Sequence, residues 1–251
     1  MSVLNIAAYR FVSLHDLPAL QSQLGAKACA QGLKGTVLLA AEGINLFLAG
    51  SDEGIEYFIT ALTADVRFAG LTLKRSYSEQ QPFKKLLVKI KPEIITLKQP
   101  QVNPALTPAP SVTPQQLKAW LDQGHDDAGR ALVLLDTRNT FEVEHGSFVG
   151  AVHPGLEKFS DYPAQVGALG AASDFHDKTI VTFCTGGIRC EKAAPWMLQA
   201  GYENVVQLEG GILNYFEHCG SAHYTGGCFV FDERRALDGD LQVLAVDASQ
   251  S

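Results

Sequence analysis

Residues 179–196 read TIVTFCTGGIRCEKAAPW. The run TIVTF is β-branched and aromatic, as a buried strand requires, and residues 193–198 read as helix. Cys184 therefore falls where a strand stops and a helix begins. Between them Thr185, Gly186, Gly187 and Ile188 form a tight loop, whose glycines let backbone N–H groups turn inward toward the sulfur. Those amides, the positive end of the following helix and the guanidinium of Arg189 all favour a thiolate. A free thiol titrates near ~8.5, and such surroundings lower that to roughly 3.5–7.5. The expectation is a catalytic thiolate at Cys184, with Arg189 as its charge partner and Thr185, Gly186, Gly187 and Ile188 as an anion-holding loop. A lone cysteine at a strand end is ordinarily a small buried hydrophobe. A cysteine, two glycines and an arginine so close together make a costly helix entrance unless something anionic is held there.

The loop CTGGIR, with LVLLDTRNTFEVE at 132–144 and GSFVGAVHP at 146–154, resembles a rhodanese domain. Cysteine phosphatases use the same entrance with one more residue between Cys and Arg. The smaller ring suits a single sulfur or oxygen atom on Cys184 better than a phosphate. The longer string CTGGIRCEKAAPWM, with QLEGGILNYFE at 207–217 and CFVFDER at 228–234, is similar to the rhodanese-containing tRNA uridine hydroxylases. That family installs the oxygen of 5-hydroxyuridine at the wobble position of tRNA. The resemblance covers nearly the whole chain. It implies an oxidoreductase with tRNA as substrate and molecular oxygen as co-substrate, no evident cofactor, and Cys184 as an active cysteine able to carry a persulfide. It also implies a structural ion pair of Asp136 and Arg138.

The chain has 251 residues and an ordinary globular composition, enough for two modest cores. Residues 99–114, QPQVNPALTPAPSVTP, are proline-rich and lack apolar periodicity, so they read as an extended, semi-rigid linker. The expected division is a ferredoxin-like, acylphosphatase-type α+β domain over 1–98, a linker over 99–112, a rhodanese-like three-layer α/β domain with a parallel sheet over 113–222, and an extension over 223–251. Thr113, Pro114 and Gln116 mark the new domain as a capping box with proline in the first helical turn. No basic leader precedes an apolar run, and no stretch stays apolar for the ~20 residues of a membrane helix, which predicts a cytoplasmic protein.

In the first domain, strands over 3–12, 34–40, through Gly50, 71–77 and 86–90 alternate with helices over 16–29 and to about residue 64. Residues 42–45 form a turn. The order β-α-β-β-α-β is that of a split βαβ sandwich. Ser51 and Asp52 suit a helix start. Glu42, Gly43 and Asn45 resemble a stretch recurrent in the hydroxylase family, but a capped turn explains them better than catalysis. In the second domain a strand over 131–135 precedes Asp136 and Arg138, and 149–153 reads as a further short strand. His153 reads as a hydrogen-bonded structural residue. Residues 204–208 make the last parallel strand, and Gly210 and Gly211 allow a close turn at the same sheet edge. CFVFD at 228–232 is too apolar for a free tail and reads as docked on the core. Past Arg235 the chain reads as frayed.

The net charge of −7 argues against a generic polyanion binder. Charge is uneven, however: residues 74–98 carry Lys74, Arg75, Lys84, Lys85, Lys89, Lys91 and Lys98 against Glu79 and Glu93. Lys84, Lys85, Lys89 and Lys91 are thus candidate tRNA-phosphate contacts, with a solvated strand face as the alternative. The cysteines at 29, 184, 190, 219 and 228 are odd in number and show no close ligand spacing, so no disulfide framework or metal site is expected; Cys219 and Cys228 with His218 and His223 are the weak candidates. Cys190 either resolves an oxidised Cys184 as a disulfide or packs its helix on the sheet. Three functions follow: oxygen-dependent hydroxylation of tRNA uridine, sulfur transfer through a Cys184 persulfide, or tRNA binding with a vestigial thiol.

Overall fold

The parallel ladder that carries Cys184 belongs to the second of two units in a computed structural model, residues 1–96 and 97–251. The structure describes residues 2–231, 234 and 236–244. In the first unit β1 (Val3–Phe11), α1 (Leu17–Ala30), β2 (Lys34–Ala40), β3 (Gly43–Gly50), α2 (Asp52–Thr63), β4 (Lys74–Ser78) and β5 (Leu86–Ile90) follow in order. The sheet order is β4-β1-β3-β2-β5. Four strands pair antiparallel in the split βαβ arrangement, and β5 adds parallel to β2 as an edge. Two-residue alternation turns Leu4, Ile6, Val37, Leu39, Ile44, Leu46 and Leu48 toward the apolar stripes of α1 and α2. Ser51 caps α2 by accepting from the Gly54 N–H at 3.2 Å.

In the second unit the order is β6 (Ser111–Val112), α3 (Pro114–Gln123), β7 (Ala131–Asp136), α4 (Thr140–Val143), β8 (Gly146–Phe148), α5 (Tyr162–Leu169), β9 (Lys178–Phe183), α6 (Cys190–Gln199), β10 (Val205–Leu208), α7 (Gly211–Cys219), β11 (Tyr224–Gly226), β12 (Cys228–Phe229) and β13 (Ala236–Leu237). The sheet runs β6-β10-β9-β7 with every pairing parallel. Its core holds Leu134, Val181, Phe183, Leu208, Ile212 and Tyr215. The carboxyl ends of β7 and β9 therefore lie side by side, where open parallel sheets place their ligands. No helix among the described residues is long and apolar enough to cross a membrane.

Several expectations need correction. The β2–β3 turn is only Ala41 and Glu42, because Ala40 already pairs with Gly43. The fourth strand begins at Lys74, not at 71. Residues 99–112 are not an extended spacer: the Val102 N–H donates to Gln99 O and the Thr107 N–H to Asn103 O, and Val102 and Ala109 are buried. Their last two residues are β6, recruited because β10 has a free parallel edge. Thr113 caps α3 by accepting from the Gln116 N–H, but the Gln116 side chain donates to Asp127, so no reciprocal capping box closes. Residues 149–153 contribute a single parallel bridge, Val152 to Leu135, whereas β8 lies just before them and pairs antiparallel with β11. That pairing ties residues 224–226 into the second unit, so the extension does not start at 223. Ala236 and Leu237 are buried and pair with β12 instead of fraying; residues 245–251 lie outside the described residues.

Asp126, just before β7, is a buried carboxylate that accepts from Thr179 Oγ1 at 2.6 Å and from the Ala128 and Arg130 N–H groups at 2.9 and 2.8 Å. Burial pushes its pKa up, but these donors and the Arg130 guanidinium outweigh it and hold it at about 2. Asp126→Ala is expected to cost about 1–3 kcal/mol in urea unfolding at neutral pH. Because the folded pKa is depressed, the charge-dependent part of that difference is complete above pH about 4 and disappears as pH falls through the folded value.

Candidate active site

β9 ends at Phe183, and Cys184 heads a loop that reaches Arg189 immediately before α6. The strand end is clamped from β7, since the Thr137 N–H and hydroxyl both donate to Phe183 O, at 2.9 and 3.0 Å. The loop is held from the far side by α7: the Ile212 and Leu213 N–H groups donate to Cys184 O and Thr185 O at 2.9 and 3.1 Å. Gly211 permits this approach, because a Cβ there would sit 2.3 Å from Cys184 O. Gly187, at φ 96°, turns the chain so that its N–H donates to Cys184 Sγ at 3.1 Å.

The sulfur is wholly buried, yet polar donors surround it. Burial opposes the thiolate. The Cys190 thiol hydrogen-bonded to the sulfur, the positive charge of Arg189, and the Arg189 and Gly187 amides overcome that cost and hold Cys184 well below the ordinary thiol value. Burial, then the Cys184 charge, pushes Cys190 well above it. The two sulfurs are therefore distinct: the surroundings favour the thiolate at Cys184 and the protonated thiol at Cys190. Cys190 Sγ also lies 3.7 Å from Thr137 Oγ1.

Arg189 was expected as the charge partner of the thiolate, and its positive charge does lower the Cys184 pKa. Its guanidinium also grips Glu142 on α4 in a bidentate pair, at 2.6 and 2.7 Å, with both side chains buried. Its field reaches Cys184, while Nη1 and Nη2 each donate to the carboxylate. Glu142 is the residue that sequence reasoning missed. Its signal was the spacing Asn139-x-x-Glu142, a capping pattern, and its second oxygen indeed accepts from the Asn139 N–H at 3.0 Å. Thr185 Oγ1 lies 3.4 Å from Glu142 Oε1 and 3.3 Å from Phe229 O, joining the loop to the segment around β12.

Nearby, Asp136 and Arg138 form the expected structural ion pair, fully buried, at 2.9 and 2.6 Å, with Ser147 Oγ donating to the same carboxylate at 2.7 Å. His153 accepts the Gly155 N–H on Nδ1 and so donates from Nε2 to Arg138 O at 2.8 Å, a structural role. Glu42 and Asn45 both bind the backbone of Ile94, through its N–H at 2.7 Å and its carbonyl at 3.2 Å. His218 and His223 bond Asn214 O and Asp122, and burial pushes the Cys228 thiol up to about 12.

Lys84, Lys85, Lys89 and Lys91 are exposed and form no ion pair among the described residues. Leu86 and Val88 face the core, so Lys89 points to the opposite face of the edge strand. Edge lysines also discourage strand-to-strand aggregation, which is the competing explanation for them.

A buried cysteine heading a six-residue loop at the rim of a parallel sheet defines a rhodanese-like domain, and residues 113–218 match the family described as "Rhodanese-like domain". Residues 3–94 match "UPF0176 acylphosphatase like domain". A protein of Variovorax paradoxus named tRNA uridine(34) hydroxylase is 57% identical over 98% of this chain and 93% of its own length. Proteins of the same name from Thiobacillus denitrificans, 54% identical over 97% and 98%, and Cupriavidus metallidurans, 55% over 96% and 85%, are similar to it as well. The chain belongs to the tRNA uridine(34) hydroxylase family.

Glu142→Ala strands the buried Arg189 charge and is expected to cost about 3–5 kcal/mol in urea unfolding. The pair Glu142→Gln with Arg189→Met should recover much of that stability. In the double variant, thiolate absorbance should show Cys184 titrating closer to the ordinary ~8.5.

Proposed function

We propose that this protein hydroxylates C5 of uridine 34 in tRNA, taking one oxygen atom from molecular oxygen, with Cys184 and Cys190 as the two-thiol centre of the reaction. The observation that carries the reading is the placement of two buried thiols at one site: Cys184 heads the loop with its sulfur 3.1 Å from the Gly187 N–H, and Cys190 opens the helix that follows. Placing one atom of O2 on C5 and releasing the other as water requires two electrons. Joining the sulfurs as a disulfide releases two. The Cys184 thiolate, the Cys190 thiol, O2, the uridine C–H and one proton from solvent balance against a disulfide, the C–OH and water. A dithiol reductant then restores both thiols. In this scheme the Gly187 and Arg189 amides, with the rest of the loop from Thr185 to Ile188, stabilise negative charge on Cys184.

A sulfurtransferase would need only Cys184; a second buried thiol at the head of the next helix, whose surroundings favour its protonated form, supports the redox reading. Lys84, Lys85, Lys89 and Lys91 supply phosphate contacts that position the tRNA without reading its sequence. A tRNA substrate and thiols that must be reduced place the work in the cytoplasm.

In a strain lacking the gene, nucleoside mass spectrometry should show loss of 5-hydroxyuridine derivatives, restored by wild type but not by Cys184→Ser. Unchanged levels in the deletion would sink the proposal. Cys190→Ser should abolish multiple turnover. Activity of wild type should be flat across neutral pH, without the rise near ~8.5 that an unperturbed thiol gives. Replacing Lys89 and Lys91 by Ala should weaken tRNA binding alike for all tRNAs and lower the slope of log affinity against log salt by about 1 for each phosphate no longer neutralised.

A further inference from the structure

Among the described residues only two phenylalanines are exposed, Phe141 at 43% and Phe231 at 52%, and both stand at the thiol loop. Phe141 precedes Glu142 on α4. Phe231 follows β12, with its ring centroid 5.9 Å from the guanidinium carbon of Arg189. Phe229 joins them edge to face, at 5.2 Å from Phe141 and 5.2 Å from Phe231, while Phe141 and Phe231 are 6.4 Å apart at 86°. The His145 ring backs Phe229 at 5.3 Å. Phe229 O takes part in the contact with Thr185, the residue next to the reactive sulfur.

Half-exposed phenyl rings gain little for the fold, since burial is what makes them stabilising. Edge-to-face packing fixes their orientation while leaving ring surface open to solvent. The charge pattern beside them selects the ligand. The cation packed on Phe231 is Arg189, which is buried and paired with both Glu142 oxygens. The guanidinium packed on Phe231 is already paired with a carboxylate, so it offers little to a phosphate, whereas a flat, uncharged ring finds aromatic surface.

We propose that Phe141 and Phe231 form the surface that receives the target nucleobase, an unstacked pyrimidine lying against the phenyl rings next to the Cys184 loop. This rests on the hydroxylase reading and deepens it by naming where the uracil ring is held. Recognition by stacking operates on the π-face of any base, so this surface seats the ring and leaves the choice of position 34 to other contacts.

The test uses the full chain. Phe231→Leu and Phe141→Leu should each lower kcat/KM for tRNA about ten-fold, the loss of roughly one base stack, while Phe231→Tyr retains activity. In a Cys184→Ser background, Phe231→Trp adds a fluorophore whose emission should be quenched by an anticodon stem-loop with uridine at position 34. The same RNA made abasic there should quench it much less. Leucine variants with unchanged kcat/KM, or equal quenching by both RNAs, would overturn the inference. A wild-type protein that forms no 5-hydroxyuridine overturns the hydroxylase reading instead, and the quenching pair then decides on its own whether a base is seated here.

Discussion

A buried sulfur whose surroundings favour the anion is the constraint around which the second unit is arranged. Taking a charge out of water costs several kcal/mol even after relaxation, and Cys184 has no solvent exposure at all. What offsets the cost is graded. The Gly187 N–H donates to the sulfur, and the Cys190 thiol, the Arg189 guanidinium charge and the Arg189 amide each lower its pKa. Arg189 could not be left alone, because a buried guanidinium carries the same penalty. Glu142 takes that role, and it is itself anchored by the Asn139 N–H. The site is thus a chain of compensations in which each buried charge requires the next, ending in dipoles of the backbone.

That chain works only if the backbone is placed to a few tenths of an ångström, which explains the investment in the loop's exterior. Thr137 secures the strand before it, and Ile212 and Leu213 secure its carbonyls from the opposite side. The closeness of α7 to the loop leaves no room for a side chain at Gly211. Parallel pairing of β7 and β9 puts both strand ends on one rim, so residues far apart in sequence reach the sulfur from fixed supports rather than from mobile loops.

How far the sequence reveals this depends on the range of each interaction. The strand, the glycine loop and the helix around Cys184 are local, and apolar period and loop chemistry expose them. The split βαβ order of the first unit is legible for the same reason. Glu142 is not, because its pairing with Arg189 spans 47 residues and nothing in its neighbourhood distinguishes it from a helix-capping acid. The proline-rich stretch misleads in a related way. Composition describes what an isolated segment prefers, but β6 forms because β10 offers an unpaired edge, a property of a distant strand. The same holds for β8, whose partner β11 lies 78 residues away.

The two sulfurs are shifted in opposite directions, Cys184 toward the thiolate and Cys190 toward the thiol. Two thiolates in contact would repel, and two neutral thiols would lack a nucleophile; one of each is the arrangement that burial and the Arg189 field jointly favour. Cys190 gains from this its stabilising hydrogen bond to Cys184, and Cys184 gains a donor that a serine or a water would supply without any capacity to be oxidised. A site built only to hold sulfur cargo has no need of that capacity. In the hydroxylation proposed above the two thiols supply the two electrons, and that capacity, more than the shape of the loop, would separate oxygen chemistry from sulfur transfer on one scaffold.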